Sequence, residues 1–293
     1  MKRLLGFLRL TRPANIVTAI SDILAGAAIA GFAGGMHELS AVLLLIVSTI
    51  GLYGGGVVFN DVFDAALDRI ERPERPIPSG LISEMEATLL GSSLLIAGVA
   101  SAFALAAYPS GIIALATATA ALVYDKWGKH HDFLGPLNMG VCRGLNLLLG
   151  MSLMPAVLYQ YGYLAIVPIL YIASITMISR GEVHGGKSKT ILFAALLYLV
   201  VNASILVVSV DQGNSIYAMI FVLLHAIFIY PPLYRAYQEP IGKNIGKAVK
   251  AGVIALIVMN ASWAAAFDAL SLGLLIVLLL PLSILLARLF AVT

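Results

Sequence analysis

Asn60-Asp61-Val62-Phe63-Asp64-Ala65-Ala66-Leu67-Asp68-Arg69-Ile70-Glu71-Arg72-Pro73-Glu74-Arg75-Pro76-Ile77-Pro78-Ser79-Gly80 closes an apolar run that begins near residue 40. In a chain that is 60% hydrophobic and 11% charged, an amide, three aspartates and three arginines gather here. If the apolar run continues as a helix, a step of about 100° per residue puts Asn60, Asp61, Asp64 and Asp68 within an arc of roughly 100°. Four oxygen-bearing side chains then share one face, where like charges repel unless a cation sits among them. Mg2+ suits such a sparse acidic face, because it is held by one or two carboxylates plus substrate phosphate oxygens and keeps several waters. The arginines that follow can take phosphate oxygens bidentately. The bland alternative is a solvated loop with charges that only set topology. Topology asks for basic residues, not for aspartates at helical spacing.

Outward from this stretch, the mean hydropathy of +0.97 and repeated apolar runs of about 20 residues exclude a soluble core and imply an integral membrane protein. Candidate spans are 14–35, 40–62, 86–107, 109–124, 134–157, 162–179, 190–210, 215–233, 247–267 and 270–290. The first is long enough to cross a bilayer and is interrupted by Asn15 and Asp22, which separates it from a signal peptide. With the N-terminus in the cytoplasm, the basic residues fall in the cytoplasmic loops, and the opposite loops near Glu38, Tyr108, Gln160, Asp211 and Asp268 hold no Lys or Arg. Of 18 basic residues, Arg143 is the one deep inside a span. The single Cys142 excludes a disulfide framework and a cysteine metal site, and no basic patch interleaved with aromatics points to nucleic acid.

The pattern Asn60-Asp61-x-x-Asp64-x-x-x-Asp68 followed by Arg75-Pro76-x-Pro78-Ser79-Gly80 resembles the first aspartate-rich motif of the UbiA superfamily of intramembrane prenyltransferases. Arg12-Pro13 ahead of the first span and the order of spans agree with it. The resemblance implies an all-α polytopic membrane bundle of nine to ten transmembrane helices in a bacterial or archaeal cytoplasmic membrane. It further implies one domain over 1–293, built from two halves of about 1–160 and 161–293, with residues 270–290 as a tenth helix, a broken helix or a re-entrant piece. The implied activity is Mg2+-dependent transfer of a prenyl group from a prenyl diphosphate to a small acceptor, polar and hydroxylated or aromatic, within the bilayer. Asn60, Asp61, Asp64 and Asp68 would hold the metal, with Asp64 and Asp68 central to catalysis, while Arg72, Arg75 and Lys126 would hold the diphosphate.

The chain departs from the family after the sixth span. There the family carries a second aspartate pair, and this sequence has Ser179-Arg180-Gly181-Glu182-Val183-His184-Gly185-Gly186-Lys187-Ser188-Lys189, with one carboxylate. Glu182 is the candidate second metal ligand, and Arg180 and Lys187 are candidates to replace metal charge on the diphosphate. The alternative is a non-catalytic carrier or exporter component that binds a prenylated metabolite. Ionisable groups inside a bilayer are costly and face a cavity or a partner. Asp22 and Arg143 are thus a candidate pair, and with Asn15, Asn138 and Asn146 they outline a polar acceptor chamber in which Asp22 would orient or deprotonate a hydroxyl. The first span and the stretch 134–150 resemble a bacterial subgroup of the superfamily associated with secondary-metabolite gene clusters.

Overall fold

In a bilayer every backbone amide must be satisfied without water, so a spanning segment of this composition folds as a helix. The computed structural model describes residues 2–32, 34–131 and 133–290, and among them it contains helices and no strand. Helix α1 (Lys2–Thr11) turns at Arg12 into α2 (Pro13–Ile29), and α3 (Met36–Phe63) runs on into the short α4 (Ala65–Glu71). A loop leads to α5 (Glu84–Leu105), which packs on α3 and is followed by α6 (Ile112–Lys126) and α7 (Leu134–Met151). Helix α8 (Pro155–Tyr161) passes through a tight turn into α9 (Ile166–Ser179). Then come α10 (Ser188–Asp211), α11 (Ser215–Gln238), α12 (Gly242–Ala266), α13 (Leu270–Val277) and α14 (Leu279–Leu289).

Among the described residues, eight stretches can cross a membrane by length and composition: 36–63, 84–105, 107–126, 155–179, 188–211, 215–238, 242–266 and 270–289. The chain is an integral membrane protein. The other two expected segments are the shorter apolar α2 and α7, which is interrupted by Arg143, Asn138 and Asn146. The expected 134–157 segment stops early at Met151, because Pro155 opens a new helix that joins α9. The last segment is broken at Leu278, where Pro281 removes the amide that would bond back to Val277.

Helices α2 and α12 form the centre: every residue from 21 to 30 and from 254 to 266 is buried. Both are rich in alanine and glycine, which lets neighbouring backbones approach. The outer helices α5, α10 and α11 expose Leu89, Ile96, Leu196, Leu199, Ile220 and Ile227, side chains suited to hydrocarbon. The charged segments meet at one end, where Arg12 reaches Asp61, Lys129 reaches Asp64, and Arg180 donates to the His131 carbonyl at 2.8 Å.

Helix α3 lies against α5 at glycine contacts. A Cβ added to Gly51 would sit 2.4 Å from the Leu94 carbonyl oxygen, and one on Gly98 would sit 2.7 Å from that of Ser48. Gly51→Val is therefore expected to cost at least about 1–3 kcal/mol, as overpacking does in cores. Gly246→Ala, with nothing within 4 Å of the new methyl, is expected to cost nothing. Thermal unfolding midpoints in detergent check this; equal midpoints for the two variants would contradict the close α3–α5 contact.

Candidate functional site

The helical hydrogen bonds of α3 continue through Asp64 into α4: the Asp64 amide donates to the Asn60 carbonyl at 3.0 Å, and the Asp68 amide donates to Asp64 at 2.8 Å. This continuity keeps Asn60, Asp61, Asp64 and Asp68 together, as their spacing requires. Asn60, Asp64 and Asp68 line a cavity of about 450 Å³ that opens at the charged end of the bundle. Arg12, Arg72, Arg75, Asp125, Lys129 and Glu182 share its polar end, and its deeper wall includes Leu52, Val57, Ile172, Ile175, Val253 and Leu256.

Three segments distant in sequence bring cations to the aspartates. Arg75 bridges two of them, at 2.7 Å from Asp68 Oδ2 and 3.4 Å from Asp61 Oδ1. Arg12 Nη2 donates to Asp61 Oδ1 at 2.8 Å, and Lys129 Nζ lies 2.5 Å from Asp64 Oδ1. Asp61 and Asp68 are buried, so a missing partner would leave a desolvated charge. Arg12 reaches its position from a left-handed backbone (φ 46°) at the α1–α2 corner, a conformation that disfavours a side chain by roughly 1–2 kcal/mol. Its ion pair with Asp61 offsets that cost.

The deep polar wall is a second closed network. Arg143 Nη1 donates to Asp22 Oδ2 at 2.7 Å, and Nη2 donates to the Thr18 hydroxyl. Asn146 Nδ2 donates to the same Asp22 oxygen at 2.9 Å, and Thr49 donates to Asn146 Oδ1 at 2.7 Å. Asn260 Nδ2 donates to Asp22 Oδ1 at 2.7 Å and to Ser21 at 2.8 Å. The Arg143 guanidinium also lies 5.3 Å from the Tyr53 ring centre, within cation–π reach.

The structure sorts the residues singled out from sequence. Asn15, Arg143, Asn146, Glu182, Arg72 and Arg75 line the cavity with Asn60, Asp64 and Asp68. Asp61 stands behind them with its two arginines. Asp22 is not on the cavity wall: both its oxygens are taken by Arg143, Asn146 and Asn260, a positioning geometry rather than that of a base. Lys126 is a correction. Helix α6 ends at Lys126, whose ammonium lies 4.6 Å from the Trp127 ring centre, and the turn through Gly128 delivers Lys129 to the aspartates instead. Arg180 and Lys187 are corrected likewise, because they line a separate hollow with Gly181, Gly185 and Ile245. Asn138 faces α6, where its amide, with nitrogen and oxygen interchanged, would donate to the Ala120 carbonyl at 3.3 Å and accept from the Tyr124 amide at 3.2 Å. Arg12 was visible in sequence only as half of Arg12-Pro13. Asp125, whose carboxylate accepts from Asn60 Nδ2 at 2.9 Å, was hidden beside Tyr124 and Lys126.

Residues 21–247, most of the chain and most of this site, with all of Asn60 to Asp68, match the model of the UbiA prenyltransferase family. The chain belongs to that family. A digeranylgeranylglyceryl phosphate synthase of Saccharolobus solfataricus is 40% identical to this UbiA member over 115 residues, 39% of this chain and 40% of the relative. The chain spans about half the length of the curated relatives it matches. Two solved structures share the fold. A UbiA homolog from Aeropyrum pernix K1 superposes with a TM-score of 0.70 at 17% identity, over 84% of this chain and 96% of that one. A UbiA homolog from Archaeoglobus fulgidus, bound to GPP and Mg2+, gives a TM-score of 0.52 at 15% identity, over 91% of this chain and 99% of that one.

Removing one member of a buried ion pair leaves the other charge unpaired, which costs about 3–5 kcal/mol, whereas replacing both by apolar groups is often near neutral. Asp22→Leu alone is therefore expected to destabilise this UbiA member strongly, and Asp22→Leu with Arg143→Leu to recover most of the loss. Unfolding in detergent measures both. A double variant as unstable as the sum of the singles would contradict the closed pair.

Proposed function

We propose that this protein transfers a prenyl group from a prenyl diphosphate to a hydroxylated acceptor in an Mg2+-dependent reaction. The charged end of the bundle and the N-terminus would face the cytoplasm, in keeping with the distribution of Lys and Arg. One observation carries the reading: a single cavity is acidic and basic at its loop end and largely aliphatic beyond it, with one polar wall at Arg143 and Asn146. A diphosphate on an isoprenoid chain has the same gradient.

The residues suit Mg2+. Asn60, Asp64 and Asp68 offer hard oxygen donors along one face, with Asp61 behind them, and the cluster already attracts the cations of Arg75 and Lys129. When bound, Mg2+ supplies charge that stabilises the departing diphosphate. Arg72, Arg75 and Lys129 would bind the diphosphate oxygens, Arg75 and Lys129 by exchanging carboxylate partners for phosphate. Glu182, on the same wall, is the candidate second metal ligand. The aliphatic walls exclude water, so the allylic cation left when the carbon–oxygen bond breaks would survive until the acceptor hydroxyl attacks, its proton passing to the departing diphosphate. Arg143, Asn146 and Asn15 offer polar contacts to that acceptor, and Asp22 holds Arg143 and Asn146 in place. The name of the curated relatives makes a glycerol phosphate that already carries one prenyl ether chain the first acceptor to try. A small polar aromatic or hydroxylated compound comes second.

Diphosphate release from geranylgeranyl diphosphate by the purified protein in detergent tests the reading. Release is expected to vanish on chelation and to fall roughly 10²–10³-fold in Asp64→Ala, the scale of losing one electrostatic contact to a transition state. Binding of the prenyl diphosphate without release, whatever acceptor is added, would contradict the enzyme and favour a carrier.

A further inference from the structure

Asp125, at the polar end of the cavity, holds a costly position. It is the penultimate residue of α6, where the helix dipole presents partial negative charge, and it is only 3% exposed. A carboxylate there needs a partner, and Asn60 of α3 provides one: Nδ2 donates to Asp125 Oδ1 at 2.9 Å. Asn60 also lines the cavity beside Asp64 and Asp68.

An amide presents a donor at one end and an acceptor at the other, and toward Asp125 it is the donor end that Asn60 presents. Asp125 therefore holds the Asn60 nitrogen toward α6 and leaves Oδ1 at the opposite end of the amide. We propose that Asp125 is a positioning residue for the metal site, orienting Asn60 so that its Oδ1 is presented to the cation. This rests on the metal reading above. Without Asp125 the amide can turn its N–H groups toward the cavity, where they repel a cation. Partners that orient a metal ligand in this way typically account for 10–100-fold in metal affinity.

The test is Mn2+ affinity, read from the free-ion signal in electron paramagnetic resonance, for the full-length protein in detergent with Mn2+ alone and with inorganic diphosphate. Asp125→Leu, which removes the acceptor, is expected to weaken binding 10–100-fold. Asp125→Asn keeps an acceptor oxygen at that place and is expected to stay within about threefold of wild type; on that scale a factor of three is less than 1 kcal/mol. If Asp125 acts through Asn60, the double variant Asn60→Leu/Asp125→Leu binds no more weakly than Asn60→Leu alone. Unchanged affinity in Asp125→Leu, additive losses in the double variant, or a loss in Asp125→Asn above tenfold would each overturn the proposal. The last would make Asp125 a direct ligand, and it is decisive even if Asp125→Leu does not fold. Wild-type protein that binds no Mn2+ under either condition would overturn the metal reading itself and this inference with it. Wild-type binding with no effect at Asp125 would overturn the inference alone.

Discussion

The constraint on which the structure depends is the cost of holding aspartates inside a membrane protein. Asp61 and Asp68 are buried and Asp64 partly so, and carboxylates in that setting must be matched by cations. The matching charges come from the α1–α2 corner (Arg12), the loop after α4 (Arg75) and the turn after α6 (Lys129). Each ion pair thus fixes a chain segment as well as a charge, and together they fold the loops over the mouth of the cavity. The same cations make the mouth ready for a polyanion. A substrate that brings its own negative charge and a metal can take over both sides of every pair.

The deep end follows the same rule with different consequences. Asp22 accepts from Arg143, Asn146 and Asn260, so α2, α7 and α12 are joined by polar bonds at a depth where water is scarce. A fully satisfied network of this kind is rigid, and it leaves the faces of Arg143 and Asn146 turned toward the cavity at set positions. The bonds from Asn260 also tie the later part of the chain to α2, so the wall of the site is shared between the two halves expected from the sequence.

Much of this was legible in the amino-acid sequence because two signals are local. Apolar runs of membrane length fix the helices, and a spacing of four residues fixes the face shared by Asn60, Asp64 and Asp68. The Asp22–Arg143 pair was legible for a different reason, since two opposite charges inside spans have few other partners. What was not legible depends on how the chain leaves a helix. Lys126 and Lys129 are equivalent in composition, and only the end of α6 and the turn at Gly128 decide which one meets Asp64. Arg180 and Lys187 were expected at the diphosphate because they follow the sixth span. The bond from the Gly186 amide to the Pro240 carbonyl, at 2.9 Å, instead ties that loop to the start of α12, where both residues line another hollow, and the Arg180 guanidinium is held by the His131 carbonyl. The breaks at Pro155 and Pro281 were visible as residues, but not as the points where spans end.

The central claim is that the Asn60 to Asp68 face is a metal site serving a diphosphate. It is tested most directly by a crystal structure with Mn2+ and a prenyl thiodiphosphate, using the anomalous scattering of manganese to locate the ion. The expected result is a manganese peak within coordination distance of oxygens of Asn60, Asp64 or Asp68, bridged to the diphosphate, with Arg75 and Lys129 moved from carboxylate to phosphate. A diphosphate held by the basic residues alone, with no manganese peak at those oxygens, would contradict it.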